Sequence, residues 1–152
     1  MYDQQLLFNE LKMKSYQTIL IETKGERFYE ITKMVLQQLN EINPDQFSGV
    51  AHLFIAHTSC ALSITEAHDP DAVSDVQKFL EHTAPRNLPF IKHTTEGEDD
   101  SPSHMKSAML QQNLAFIIER GELLLGQWQG IFLAEFRDAP KQRKVYLKFQ
   151  KD

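Results

Sequence analysis

The feature that most constrains this chain is the period-two patterning of its C-terminal part. Leu114, Phe116 and Ile118 recur at every second position, and Arg143, Val145, Leu147 and Phe149 do so again, with Lys144, Tyr146, Lys148 and Gln150 on the other side. Successive side chains of a strand point to opposite faces, so this pattern specifies strands with one buried face. Gly121 supplies a turn, residues 122–125 pair back, and residues 130–136 add a further strand.

The remainder mixes both periods. Residues 16–23 read as a strand around Ile19, Leu20 and Ile21. In residues 26–42, Phe28, Ile31, Val35, Leu39 and Ile42 recur at helical spacing, which predicts a helix covering a sheet face. Asn43-Pro44-Asp45 ends it, because proline cannot continue the hydrogen-bond ladder. Strands follow at 49–56 and 60–66. Asp69-Pro70 opens a second helix, with Asp69 as cap and Val73, Val76, Phe79 and Leu80 as its buried side. A proline-containing loop runs into the polar segment 93–100, and Ser101-Pro102 opens a short helix to about residue 111. The expected class is α+β: one domain over residues 1–152, a largely antiparallel twisted sheet or sandwich with a few helices, and residues 1–14 as an N-terminal arm or edge strand.

A chain of 152 residues buries about two-thirds of its unfolded surface, so it needs no metal merely to stay folded. Any metal is therefore a candidate for function. One cysteine, Cys60, excludes intrachain disulfides and cysteine-rich zinc sites, and fits a reducing cytoplasm. A net charge of -5 argues against nucleic acid as the main partner. The charge-free run 46–65 contains two histidines and little sustained hydrophobicity, so it reads as two strands rather than a membrane helix. No secretory signal pattern opens the chain.

The chemistry concentrates between His57 and His104. Five of the six histidines (His57, His68, His82, His93, His104) lie there with nine acids and three bases, so the stretch carries -6 and the rest +1. Imidazoles mixed with carboxylates suit zinc, iron, nickel or manganese; a solvated acidic loop with incidental histidines accounts for the same composition. His57 ends a strand, where its side chain can line a cleft, whereas His52 sits mid-strand and reads as packing. Glu66 shares a face with Cys60, Leu62 and Ile64, where a carboxylate is costly unless paired, protonated or metal-bound. Glu135 poses the same problem, with Arg137 or Arg143 as partner. His93 and His104 bracket Glu96-Gly97-Glu98-Asp99-Asp100 and can converge across a loop. The helix start at Ser101-Pro102, with Ser101 and Ser103, suits a phosphate, though capping by Ser101 explains the same residues. Trp128 reads as an aromatic plug in a glycine-bent connection, and Cys60 as a small buried apolar residue.

In combination, His57-Thr58-Ser59-Cys60, Glu66, Asp69-Pro70-Asp71, His93-Thr94, Glu96-Gly97, Asp99-Asp100-Ser101-Pro102, His104-Met105-Lys106, Leu125-Gly126 and Trp128-Gln129-Gly130-Ile131 resemble the motifs of the YjbQ family. The resemblance runs over residues 16–149. Gln127 stands where the family usually has threonine, and Thr65 and Ala67 flank Glu66 where asparagines are usual. The resemblance implies a YjbQ-like α+β fold assembled as a homotrimer, with a metal-bearing pocket near subunit contacts. It also implies a secondary thiamine-phosphate synthase activity, as main task or side activity. That reaction joins hydroxymethylpyrimidine pyrophosphate to thiazole phosphate and releases pyrophosphate. On this footing His57, His93 and His104 are expected metal ligands, with Asp100 a fourth ligand or an orienting group. Glu66, Glu96 and Asp100 are the candidate catalytic residues. Ser101, Ser103 and Lys106 are candidates for phosphate, and Trp128 and Gln129 for a heterocycle. The expected cofactor is a divalent metal: zinc, another transition metal or magnesium. A metal-dependent phosphohydrolase of small phosphoesters and a non-catalytic metabolite-binding trimer are the alternatives.

Overall fold

The computed structural model describes residues 15–152; the expected arm or edge strand at 1–14 lies outside them. The elements in order are β1 (Gln17–Thr23), β2 (Arg27–Glu30), α1 (Thr32–Ile42), β3 (Gly49–Ile55), β4 (Cys60–Glu66), α2 (Pro70–Thr83), α3 (Asp100–Met109), β5 (Asn113–Glu119), β6 (Glu122–Leu123), β7 (Gln129–Glu135) and β8 (Lys141–Lys151). They form two wholly antiparallel sheets, one of five strands in the order β1-β8-β3-β5-β6 and one of three in the order β2-β7-β4. The class is α+β, as the patterning predicts.

The sheets face one another across a shared core. Ile19 and Ile21 of β1, Leu53 and Ile55 of β3, Phe116 of β5 and Val145 and Leu147 of β8 meet Cys60 and Leu62 of β4 and Ile131 and Leu133 of β7. Val35 and Leu39 of α1 close the same core. Burying each such aliphatic side chain stabilises by about 1.5–3 kcal/mol. The outer face of the three-stranded sheet presents Phe28, Ala61, Phe132 and Ala134, and α2 covers it through Leu80 with Val73 and Val76. Covered on both sides, β7 is buried from Gly130 onward.

Three local expectations are corrected. The helix predicted over 26–42 is a strand and then a helix: Arg27–Glu30 pairs with β7, because Phe28 and Tyr29 fit a strand and Phe28 fills the second cluster. Phe79 is exposed, since only the Leu80 side of α2 meets the sheet. The last helix begins at Asp100 rather than at Pro102, which leaves Asp99, not Ser101, at the cap position. Asp69 does cap α2, accepting from Asp71 N–H at 3.0 Å.

Candidate metal centre

Three segments meet at one end of the sheets. β3 ends in the five-stranded sheet and β4 begins in the other, so residues 56–59 cross between them and carry His57 and Thr58 to the rim. β7 ends with Glu135 opposite Cys60 and runs on into Phe136-Arg137-Asp138, with Phe136 N–H donating to Ser59 O at 3.3 Å. The loop 93–99 and the first turns of α3 complete the rim.

A buried ion pair underlies it. The fully buried Glu135 receives Nε and an amino group of Arg143, each at 2.7 Å, the Thr23 hydroxyl at 3.0 Å, and the backbone N–H of Phe136 and Arg137 at 3.1 and 3.0 Å. Arg143 is thus the partner that Glu135 requires, and it also donates to Ser59 Oγ at 3.0 Å, anchoring the crossing loop. Burial, seconded by the Arg143 guanidinium, holds the His57 imidazole below its usual range and favours the neutral ring. Burial also pushes the Cys60 thiol up to about 12, so it is not a nucleophile at neutral pH.

The side chain of Arg137 turns instead to the acidic loop. Its Nε donates to Asp99 Oδ2 at 3.0 Å, one amino group pairs with Asp100 Oδ1, and the other donates to Glu96 O at 2.9 Å. Asp138 N–H also donates to Asp99 Oδ2, at 2.9 Å. The segment that reads as a solvated acidic loop is therefore wrapped around one guanidinium.

What this leaves free is a donor set. His93, Asp100 and His104 each present one ligand atom, all within 4.8 Å of one another, and this is the one such group of histidine, cysteine or acid side chains among the described residues. His104 Nδ1 lies 2.8 Å from Thr58 O, a carbonyl that can only accept. In the neutral ring Nδ1 therefore carries the proton, which makes Nε2, 3.2 Å from Asp100 Oδ1, the ring's lone-pair donor. His93 Nε2 stands 2.8 Å from Asp100 Oδ2, yet off the line of a hydrogen bond, and that oxygen has no donor although Asp100 is 1% exposed. A buried carboxylate oxygen that faces an imidazole nitrogen without making a hydrogen bond, with a second imidazole beside the same carboxylate, is a good cation cradle. His93 and His104 are solvent-accessible, so a ligand can reach it.

Residues 17–152 match the family model described as UPF0047 protein YjbQ-like. The UPF0047 protein YjbQ of Escherichia coli O157:H7 is 35% identical over 133 residues, 88% of this chain and 95% of its own length. UPF0047 protein MJ1081 of Methanocaldococcus jannaschii is 36% identical over 82% of this chain and 86% of its own. The chain belongs to the YjbQ family. Two crystal structures agree with this: a YjbQ/UPF0047 protein of Clostridium acetobutylicum (TM-score 0.79, 32% identity, 88% of this chain and 99% of that one) and a conserved hypothetical protein of Thermus thermophilus (TM-score 0.78, 34% identity, the same shares).

In this YjbQ-family chain the structure joins two of the three expected histidine ligands, His93 and His104, and seats Asp100 as the third donor. His57 stands outside that group; it lines a cleft of about 480 Å³ with Thr58, His104, Ser107, Ala108 and Gln112. Glu96 lies on the same rim, exposed, its carboxylate 3.6 Å from Arg137. The phosphate candidates fare differently. Ser103 is buried and donates to Asp100 O at 2.5 Å, inside its own helix. Lys106 is buried and paired with Glu26 in a separate cleft that Arg86 and Asp138 also line. Neither is free for a ligand at the rim, because Ser103 is bonded to its own helix and Lys106 to Glu26. Ser101 is half-buried in the first turn of α3.

Glu66, Trp128 and Gln129 lie at the far end. Glu66 pairs across the sheet with Gln129, six residues along β4 from Cys60, which is about 20 Å of strand. Trp128 is 59% exposed rather than a plug, and Gln129 Oε1 accepts from Gly126 N–H at 2.8 Å. Within one chain these residues do not share a site with the histidines. Gly130 is needed there for close approach: a Cβ would lie 2.6 Å from that of Ala67. The residue that sequence reasoning missed is Arg137, weighed only as a partner for Glu135. The signal available was one arginine following a buried strand in a chain whose acids cluster in 96–100.

Proposed function

We propose that His93, Asp100 and His104 hold a divalent cation and that the chain uses it as a secondary thiamine-phosphate synthase-like transferase. The observation that carries the cation reading is the buried, donorless Asp100 Oδ2 beside His93 Nε2, with His104 Nε2 next to the other oxygen of the same carboxylate. Two imidazoles and one carboxylate favour zinc or another transition metal over magnesium, which prefers oxygen ligands. When bound, such an ion supplies positive charge to a departing pyrophosphate. The chain's own residues do the rest. Thr58 O fixes the His104 tautomer, Arg137 fixes Asp100, and the cleft beside His104 and the neutral His57 receives the organic part of the substrate.

The same reading takes the protein as a cytoplasmic homotrimer with a small phosphorylated metabolite as its ligand. No helix among the described residues is long and apolar enough to cross a membrane. Leu20, Phe54 and Ile117 are exposed on the five-stranded sheet, and these apolar side chains are available for self-association. The separation of Glu66, Trp128 and Gln129 from the histidines also fits a pocket completed by a second copy.

Two measurements test this. Elemental analysis and zinc titration of untagged protein should give near-stoichiometric metal that His104→Ala and Asp100→Asn lose while His57→Ala keeps it. With hydroxymethylpyrimidine pyrophosphate, thiazole phosphate and metal, the unaltered protein should form thiamine phosphate and His104→Ala should not. Equal product from the two removes the transferase reading.

A further inference from the structure

The loop Glu96-Gly97-Glu98-Asp99-Asp100 is, by composition, an oxygen-donor loop of the kind that suits calcium or magnesium. The geometry denies it that role. Arg137 occupies Asp99 Oδ2 and Asp100 Oδ1, takes the carbonyl of Glu96, and stands 3.6 Å from the Glu96 carboxylate. Asp100 is left with a single free oxygen, and that oxygen faces His93. A planar guanidinium with several fixed donors can organise three residues in this way; an ammonium, a point charge on a flexible stem, cannot.

We infer that Arg137 is a positioning residue that sets which cation the site accepts, by withdrawing the loop's oxygens and leaving a site dominated by His93 and His104. Two effects combine. The fork takes Asp100 Oδ1, so that one oxygen, beside His93, is left for an ion, and it holds the loop against α3 with the ring centroids of His93 and His104 5.3 Å apart. Its fixed positive charge beside the site penalises every divalent ion, and only ions that bind imidazole strongly overcome that penalty. Hard ions, which need several oxygens and gain little from imidazole, are rejected.

The inference rests on the cation reading above, and its test separates the two. Zinc and calcium are titrated calorimetrically into untagged wild type, Arg137→Met and Arg137→Lys, with urea unfolding recorded for each. Wild type should bind zinc and no calcium at millimolar concentration. Arg137→Met should bind zinc about 10–100-fold more weakly, the usual effect of losing a partner that orients a ligand, and should gain calcium binding. Arg137→Lys keeps the charge without the fork, so it should bind zinc more weakly still than Arg137→Met and should continue to exclude calcium. A purely structural role would lower stability in both variants and leave the zinc-to-calcium preference of the folded protein unchanged, which overturns the inference. Should Arg137→Met not fold, Asp99→Asn serves: it loosens the grip while leaving Asp100 intact, and zinc affinity should fall several-fold, an unchanged value counting against the inference. Wild type that binds no zinc overturns the cation reading itself.

Discussion

Replacing Arg143 by methionine tests the electrostatics beneath the rim. Arg143 is 6% exposed and Glu135 0%, so the substitution leaves a carboxylate buried with no cation beside it. Breaking a buried pair from one side costs about 3–5 kcal/mol, a large part of the roughly 5–15 kcal/mol that holds a domain together. For a chain of this length that is a fall in Tm of about 6–20 °C. The double variant Glu135→Leu/Arg143→Met should recover much of the loss. Of the other donors to Glu135, the Thr23 hydroxyl can turn to Lys141 O at 3.2 Å and Phe136 N–H already shares Ser59 O. Only Arg137 N–H is orphaned, at about 1–3 kcal/mol. Urea unfolding at matched protein concentration reads both values. A loss below about 1 kcal/mol for Arg143→Met, the behaviour of a screened surface pair, refutes the reasoning, as does a double variant less stable than the single one.

Two further outcomes follow from the same region. His57 titrates below its ordinary value when folded, so the unfolded chain takes up that proton first as pH falls. Its contribution to stability is complete above about pH 6.5 and declines toward the lower folded value. Unfolding from about pH 7.5 to 5 should therefore show a shallower loss in His57→Gln than in wild type, and identical slopes would contradict the assignment. Cys60, fully buried with its thiol raised by that burial, should resist a thiol reagent at about pH 8 until denaturant is added; prompt labelling of the folded protein would show the loop open.

The helix cap at Asp69, the strand at Cys60–Glu66 and the alternation in Lys141–Lys151 were legible because each is a local signal whose period or cap chemistry survives tertiary packing. Residues 27–30 were not, because Phe28 satisfies helical spacing with Ile31 and strand burial against Phe132 equally well, and pairing with β7 decides between them. The site divides in the same way. That His93 and His104 can converge across the acidic loop was readable from residue type and spacing; that Asp100 rather than His57 joins them was not. That Lys106, two residues from His104, serves Glu26 on the other side of the helix is a matter of helical phase against a partner eighty residues away.

The α+β class, the antiparallel C-terminal strands and the family all follow from the chain read as letters, since these rest on periodicity and on short motifs that carry their meaning locally. Tertiary structure alone decides that Arg137 grips the acidic loop, that Arg143 answers Glu135, and that Glu66, paired with Gln129, lies about 20 Å of strand from Cys60 and the rim. Those facts depend on which sheet each strand enters and in what register, and a buried charge finds its partner through that register rather than along the chain.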